Sequence, residues 1–207
     1  MLHAAPVLLT IGILWSAAVV APGPNFVITT RSALLGSREA GVRTALGIAG
    51  GAAVWGVSGF FGVHALFALA PWLYLGLKFG GSFYLVLLGA KYVRNSFRPA
   101  MTAASLVPPT PRGSAIRLGF LTSIANPQSA LSTAGLFAAT LPARPPLLLG
   151  LSAIIVMTII PLVWYGLVAC VLTLRPAAAA FARARSWIDR VAGVAFIGLG
   201  TKLAFDR

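Results

Sequence analysis

Six long apolar runs decide what this chain can fold into. A transmembrane helix needs about 20 consecutive, mainly apolar residues. Segments at about 4–30, 44–68, 72–93, 115–141, 146–173 and 187–205 each meet that requirement. Only 9% of the chain is charged, against about a quarter in a soluble domain. Inside a bilayer the backbone has no water to bond, so helices that satisfy their own amides are the expected form. The expected fold is therefore an all-α integral membrane protein with six transmembrane helices.

Two of the six runs are interrupted. The first contains Pro22-Gly23-Pro24-Asn25, and the fourth contains Asn126-Pro127. Proline lacks an N–H and its ring clashes with the preceding turn, so neither stretch continues as a regular helix. Non-helical backbone survives at membrane depth only where protein or a water-filled cavity satisfies it. The spacing thus predicts that helices 1 and 4 are broken at Pro22–Asn25 and Asn126-Pro127.

The proline-rich, basic stretch 98–113 reads as a cytoplasmic connector between two halves of three spans, about 1–97 and 114–207, within one transmembrane domain. The halves echo each other: Asn25 beside a proline corresponds to Asn126 beside a proline, Trp55 to Trp164, and Gly89-Ala90-Lys91 to Gly200-Thr201-Lys202. Three spans per half would set the copies in opposite orientations, a 3+3 inverted repeat, and broken helices within inverted repeats point to a secondary transporter.

The formal net charge of +13 comes from 16 Lys and Arg against 3 Asp and Glu. These basic residues fall between apolar spans and not on one face, which argues against nucleic-acid binding and for contact with anionic lipid headgroups. With the N-terminus outside, twelve basic residues lie on inner loops and four outside. The positive-inside rule then predicts N-out and C-out. The run before Pro22 is expected to remain as the first span and not to act as a cleaved signal, since no Lys or Arg precedes it.

Each break creates a helix N-terminus, whose free amides and partial positive charge suit a carboxylate. Asn126 is a good N-cap and Pro127 a good first helical residue. The carbonyls left behind near Val20 and Ile124 would suit an ammonium, with Trp55, Trp164 and Tyr165 as a cation–π face. Pro22, Gly23, Pro24, Asn25, Asn126, Pro127, Gln128, Trp55, Trp164 and Tyr165 are accordingly the expected substrate-binding residues, and the substrate a small molecule with both charges, such as an amino acid. Glu39 and Arg43, spaced i, i+4 in a short charged turn, are candidates for gating. The pairs Gly47/Gly51 and Gly76/Gly80 are expected to let helices approach closely, within the chain or in a homodimer.

Other chemistries find no support. A lone Cys170 excludes an intrachain disulfide, and His3 and His64 are too far apart to suggest a metal site. No cofactor or metal is expected, and no nucleophile, phosphate loop or metalloprotease motif suggests an enzyme. Glu39, Asp189 and Asp206 all read as lying at or beyond span ends.

The stretches Pro22 to Phe26, Gly36 to Gly41, Ala45 to Ala49, Leu77 to Lys91 and Gly119 to Pro127 together resemble the lysine exporter/threonine–homoserine exporter (LysE/RhtB) family over nearly the whole chain. The resemblance implies a small bacterial inner-membrane protein that exports amino acids or related metabolites, driven by the proton gradient or membrane potential. Many members carry lysine where this chain has Gln128, and some carry an acid or histidine where it has Ala52, Ala53 and Trp55. The missing lysine makes Gln128 a weaker partner for a carboxylate, and the missing acid favours neutral amino acids over cationic ones. The alternative is a non-transporting membrane scaffold, which would tolerate Asn25→Ala and Asn126→Ala.

Overall fold

The computed structural model describes residues 4–69, 71–97, 115–142, 145–171 and 174–205; the connector 98–113 lies outside them. The described residues form helices α1 (Ala4–Val20), α2 (Pro24–Arg31), α3 (Arg38–Leu69), α4 (Pro71–Asn95), α5 (Ala115–Ala125), α6 (Pro127–Thr140), α7 (Leu147–Val171) and α8 (Arg175–Phe205). A single π-helical turn, Ser32–Gly36, extends α2. By length and apolarity, Arg38–Gly62 of α3 and Leu147–Val171 can each cross a membrane, and α1 with α2 makes a third span if the pair is counted as one.

The surface is that of a membrane protein. Leu151, Ile155, Ile159, Val163 and Leu167 form an exposed apolar stripe along one side of α7, while Ala153, Met157, Tyr165 and Ala169 are buried on the other. A helix that is apolar all round has no wet face to turn outward.

Local sequence explains most helix ends. Ser37 caps α3, its hydroxyl accepting from the Ala40 amide at 3.1 Å. Glu39 follows in the first turn, where a negative charge suits the helix dipole. The final helix starts well before the apolar run at 187. Arg175-Pro176 supplies a proline in the first turn, and the alanine run behind it has the highest helix propensity of any residue.

The helices pack chiefly across the two halves: α3 on α5 and α7, α4 on α8 and α6, and α1 on α7. Small residues permit this. A Cβ added at Gly47 would overlap the Ile116 carbonyl, and one at Gly119 would overlap the Thr44 carbonyl. At Gly51 it would meet Ser123 Oγ at 2.7 Å. The Gly47/Gly51 face is therefore filled within the chain. Gly80 behaves otherwise, since its added Cβ meets nothing within 4 Å.

Candidate functional site

The first break follows from its prolines. Helix α1 stops at Val20, and the chain bends by 59° before continuing as α2. Gly23 is extended, with φ −141° and ψ −169°, and Pro24 takes the first helical position. The Gly23 carbonyl accepts from the Val27 amide at 3.0 Å, but no side chain caps this end. The break leaves the Val19 carbonyl without the amide that a continuous helix would bring. Tyr165 of α7 fills that role, its hydroxyl donating to Val19 O at 3.1 Å.

The second break is built more tightly. Asn126 is the N-cap and Pro127 the first helical residue, as the sequence led one to expect. The Asn126 side chain accepts from the Gln128 amide at 3.1 Å, and its carbonyl accepts from Ser129 at 3.0 Å. This helix end is thus already capped, whereas that of α2 lacks a side-chain cap. Pro127 cannot donate to Ser123 O. Trp55 of α3 does so instead, through Nε1 at 3.1 Å, together with a longer bond from the Asn126 amide at 3.3 Å.

Pro161, inside α7, repeats the pattern. It deprives Met157 O of its helical partner, and Trp15 of α1 donates Nε1 to that carbonyl at 3.0 Å. Three interruptions are therefore each answered by an aromatic donor from another helix. A carbonyl left bare in so apolar an interior would cost several kcal/mol. Removing one donor should cost about 1–3 kcal/mol. Tyr165→Phe and Trp55→Phe should each lower the thermal unfolding midpoint in detergent. Trp187→Phe, at a side chain 68% exposed, should leave it unchanged; equal midpoints for all three would refute this role.

The two breaks meet. Gly23 and Asn25 from the first, and Ser123, Asn126 and Gln128 from the second, line one cavity of about 30 Å³ between α1, α3 and α7. Trp15, Pro161 and Tyr165 close it from the opposite side. The volume admits about one or two water molecules. The lining carries no charged side chain. Asn25 is 8% exposed; its side chain lies against the Tyr165 hydroxyl, and its Oδ1 is buried with no hydrogen-bond partner. Ser123 Oγ is in the same condition. Gln128 extends the polar network outward, donating through Nε2 to Tyr92 Oη of α4 at 2.5 Å.

Of the residues singled out from sequence, Gly23, Asn25, Asn126, Gln128 and Tyr165 thus converge on the cavity. Pro22 and Pro24 shape the break but do not line it, and the Pro127 side chain lies outside the described residues. Trp55 and Trp164 are also absent from the lining. Trp55 turns its indole N–H to Ser123, and Trp164 packs against the core. The expected three-aromatic face is therefore not assembled. Trp15, not among the expected site residues, is buried at the site. The signal for it was indirect: Pro161 strands a carbonyl that needs a donor.

Glu39 and Arg43 do pair, at 2.5 Å, with their side chains 71% and 58% exposed. Such a pair contributes about 0.5 kcal/mol or less. Asp189, expected at a span end, is buried at 2% exposure, 3.7 Å from Arg185 Nε. Among the described residues no group of three or more His, Cys, Asp or Glu is placed to hold a metal ion.

The chain is similar to known proteins over most of its length. The family model described as LysE type translocator matches residues 16–207. The threonine efflux protein of Escherichia coli (strain K12) is 27% identical, covering 96% of this chain and 98% of its own length. That of Salmonella typhimurium is 26% identical, covering 96% and 97%. The uncharacterized membrane protein YahN of Escherichia coli (strain K12) is 29% identical, covering 96% and 87%. No solved structure matches. With a family model spanning nearly all of it, from the end of α1 to the last residue, the chain belongs to the LysE type translocators.

Proposed function

We propose that this protein is a secondary exporter of neutral amino acids or closely related metabolites across the bacterial inner membrane. The observation that carries the reading is the uncharged polar cavity where the two helix breaks meet. A zwitterion has no net charge, so a lining of neutral dipoles can hold both of its ends without burying an unpaired charge. The N-terminus of α2, which has no side-chain cap, suits the carboxylate. Asn25 Oδ1, buried and unpartnered, is an acceptor for the ammonium. The relatives named threonine efflux proteins add weight to a small hydroxylated substrate, for which Ser123 Oγ offers a further partner.

Six spans in a 3+3 inverted repeat, with both termini outside, complete the proposal. A reciprocal exchange between the halves supports it: Trp55 of the first half bonds the break of the second, and Tyr165 of the second bonds the break of the first. At about 30 Å³ the cavity is too small for an amino acid. Transport then requires the halves to part, as rocking of one repeat against the other does. The proton gradient or the membrane potential is the proposed energy source.

The test is efflux. Cells overproducing the protein and fed amino acids as dipeptides should accumulate less of at least one neutral amino acid than cells carrying empty vector, with threonine first in the panel. Unchanged accumulation across all amino acids would dispose of the proposal.

A further inference from the structure

Among the described residues, Asp189 is the one acidic side chain that is buried. It sits in the seam between α4 and α8. Two contacts fix the register of that antiparallel pair. Ser186 Oγ donates to Ser96 O at 3.0 Å, and Gly193 lies so close to Gly89 that an added Cβ would come within 2.7 Å of the Gly89 carbonyl oxygen. Asp189 falls midway between these points, level with Tyr92 and Val93. Tyr92, itself buried, accepts from Gln128 Nε2 at 2.5 Å, and Gln128 lines the central cavity. One hydrogen-bonded step therefore separates the cavity wall from Tyr92, which is level with Asp189 on the facing helix and packs its ring 5.9 Å from that of Phe196.

Among the described residues the charged surroundings of Asp189 are sparse. On its own helix, Arg185 Nε stands at 3.7 Å, beyond a good hydrogen bond. Arg190 is drawn away, its guanidinium over the rings of Phe97 and Trp187 at 4.9 and 5.5 Å and its Nε 3.4 Å from Ser96 Oγ. Tyr92 is the titratable group that α4 presents; Lys91 and Arg94 of that helix are exposed. Helices α1 and α6, which also pack on α8, contain no titratable side chain in their sequences. Burial opposes a negative charge on Asp189 and Arg185 favours it, so the balance depends on how closely the α4–α8 seam stays shut. A buried carboxylate is costly, and proton relays are a common use of one in membrane proteins.

We propose that Asp189 carries the proton that couples export to the pH gradient. Its carboxylate takes up one proton from the outer face and releases it to the inner face in each cycle. Tyr92 and Gln128 transmit its charge state to the cavity. This inference rests on the exporter reading above.

The test uses full-length protein in proteoliposomes with radiolabelled L-threonine as probe. Two transport assays are run: counterflow exchange at equal pH, and accumulation driven by an imposed pH gradient. The carboxylic-acid infrared band is followed separately as pH is varied. Wild-type protein should perform both transport reactions and show a titrating carboxyl band. Asp189→Asn should keep counterflow, lose the response to the pH gradient and lack that band, and Asp189→Glu should regain the response. Gradient-driven accumulation by Asp189→Asn equal to wild type would overturn the proposal. So would loss of counterflow in both variants, which marks a structural role, or an infrared band unchanged by Asp189→Asn. Wild-type protein that moves no threonine would count against the exporter reading for that substrate, while the infrared band still decides whether Asp189 titrates.

Discussion

Gly47→Ala and Gly119→Ala should each leave little or no folded protein. At both positions the added methyl overlaps a backbone carbonyl of the facing helix, Ile116 for Gly47 and Thr44 for Gly119. A flexible side chain can step aside, but a helix backbone cannot, so α3 and α5 must move apart along their length. That opens the seam against which Ser123 and the second break are held. Overpacking of this kind costs about 3 kcal/mol. The two substitutions strike the same contact from opposite sides, so the double variant should lose less than the sum. Gly62→Ala and Gly198→Ala, where an added Cβ meets nothing within 4 Å, should behave as wild type. The comparison is made by size-exclusion profile and thermal unfolding in one detergent. A Gly47→Ala protein as stable as Gly62→Ala would show that the α3–α5 approach is not tight.

The two breaks were legible because proline and glycine act through local covalent geometry. Pro24 and Pro127 each start a helix, and Asn126 caps one, as their chemistry requires. The close approach at Gly47 and Gly51 was legible for a similar reason, since small residues at helical spacing have little other use in an apolar helix.

What stayed hidden depended on which side of each helix faces inward. In water, polarity marks the outer face. Here Ile155 and Ile159 face out while Met157 faces in, and hydropathy does not separate them. Hence Gly80 read as a contact and Trp55 as part of a binding face. The burial of Asp189 stayed hidden for a different reason. An apolar run beginning near 187 puts it at a span end, and that reading does not show that α8 begins at Arg175 and packs this end against α4.

The aromatic donors connect the two kinds of residue. A proline in a membrane helix declares a carbonyl four residues earlier that needs a partner, and Trp15 and Trp55 supply one at Met157 and Ser123. Tyr165 does the same at Val19 across the first break. Interruptions read from sequence can thus be used to search for donors elsewhere in the chain. The same reasoning ties stability to transport, because Tyr165 both satisfies a carbonyl and lines the cavity.

Asn25 separates those two roles, and Asn25→Ala should abolish most transport while leaving the fold intact. Its Oδ1 is buried without a partner, so deleting it removes an unsatisfied acceptor, and the thermal midpoint should hold or rise slightly. Losing the contact of its side chain with the Tyr165 hydroxyl offsets part of that gain. During transport the same atom is proposed to accept from the substrate ammonium. A hydrogen bond to a charged group is worth about 1.5–3 kcal/mol, which corresponds to roughly a ten- to hundredfold loss of threonine counterflow. Tyr165→Phe should show the opposite balance, a clear loss of stability with a smaller loss of transport. Asn25→Ala that unfolds, or that exchanges threonine at the wild-type rate, would remove Asn25 from the binding site and leave the break a purely structural feature.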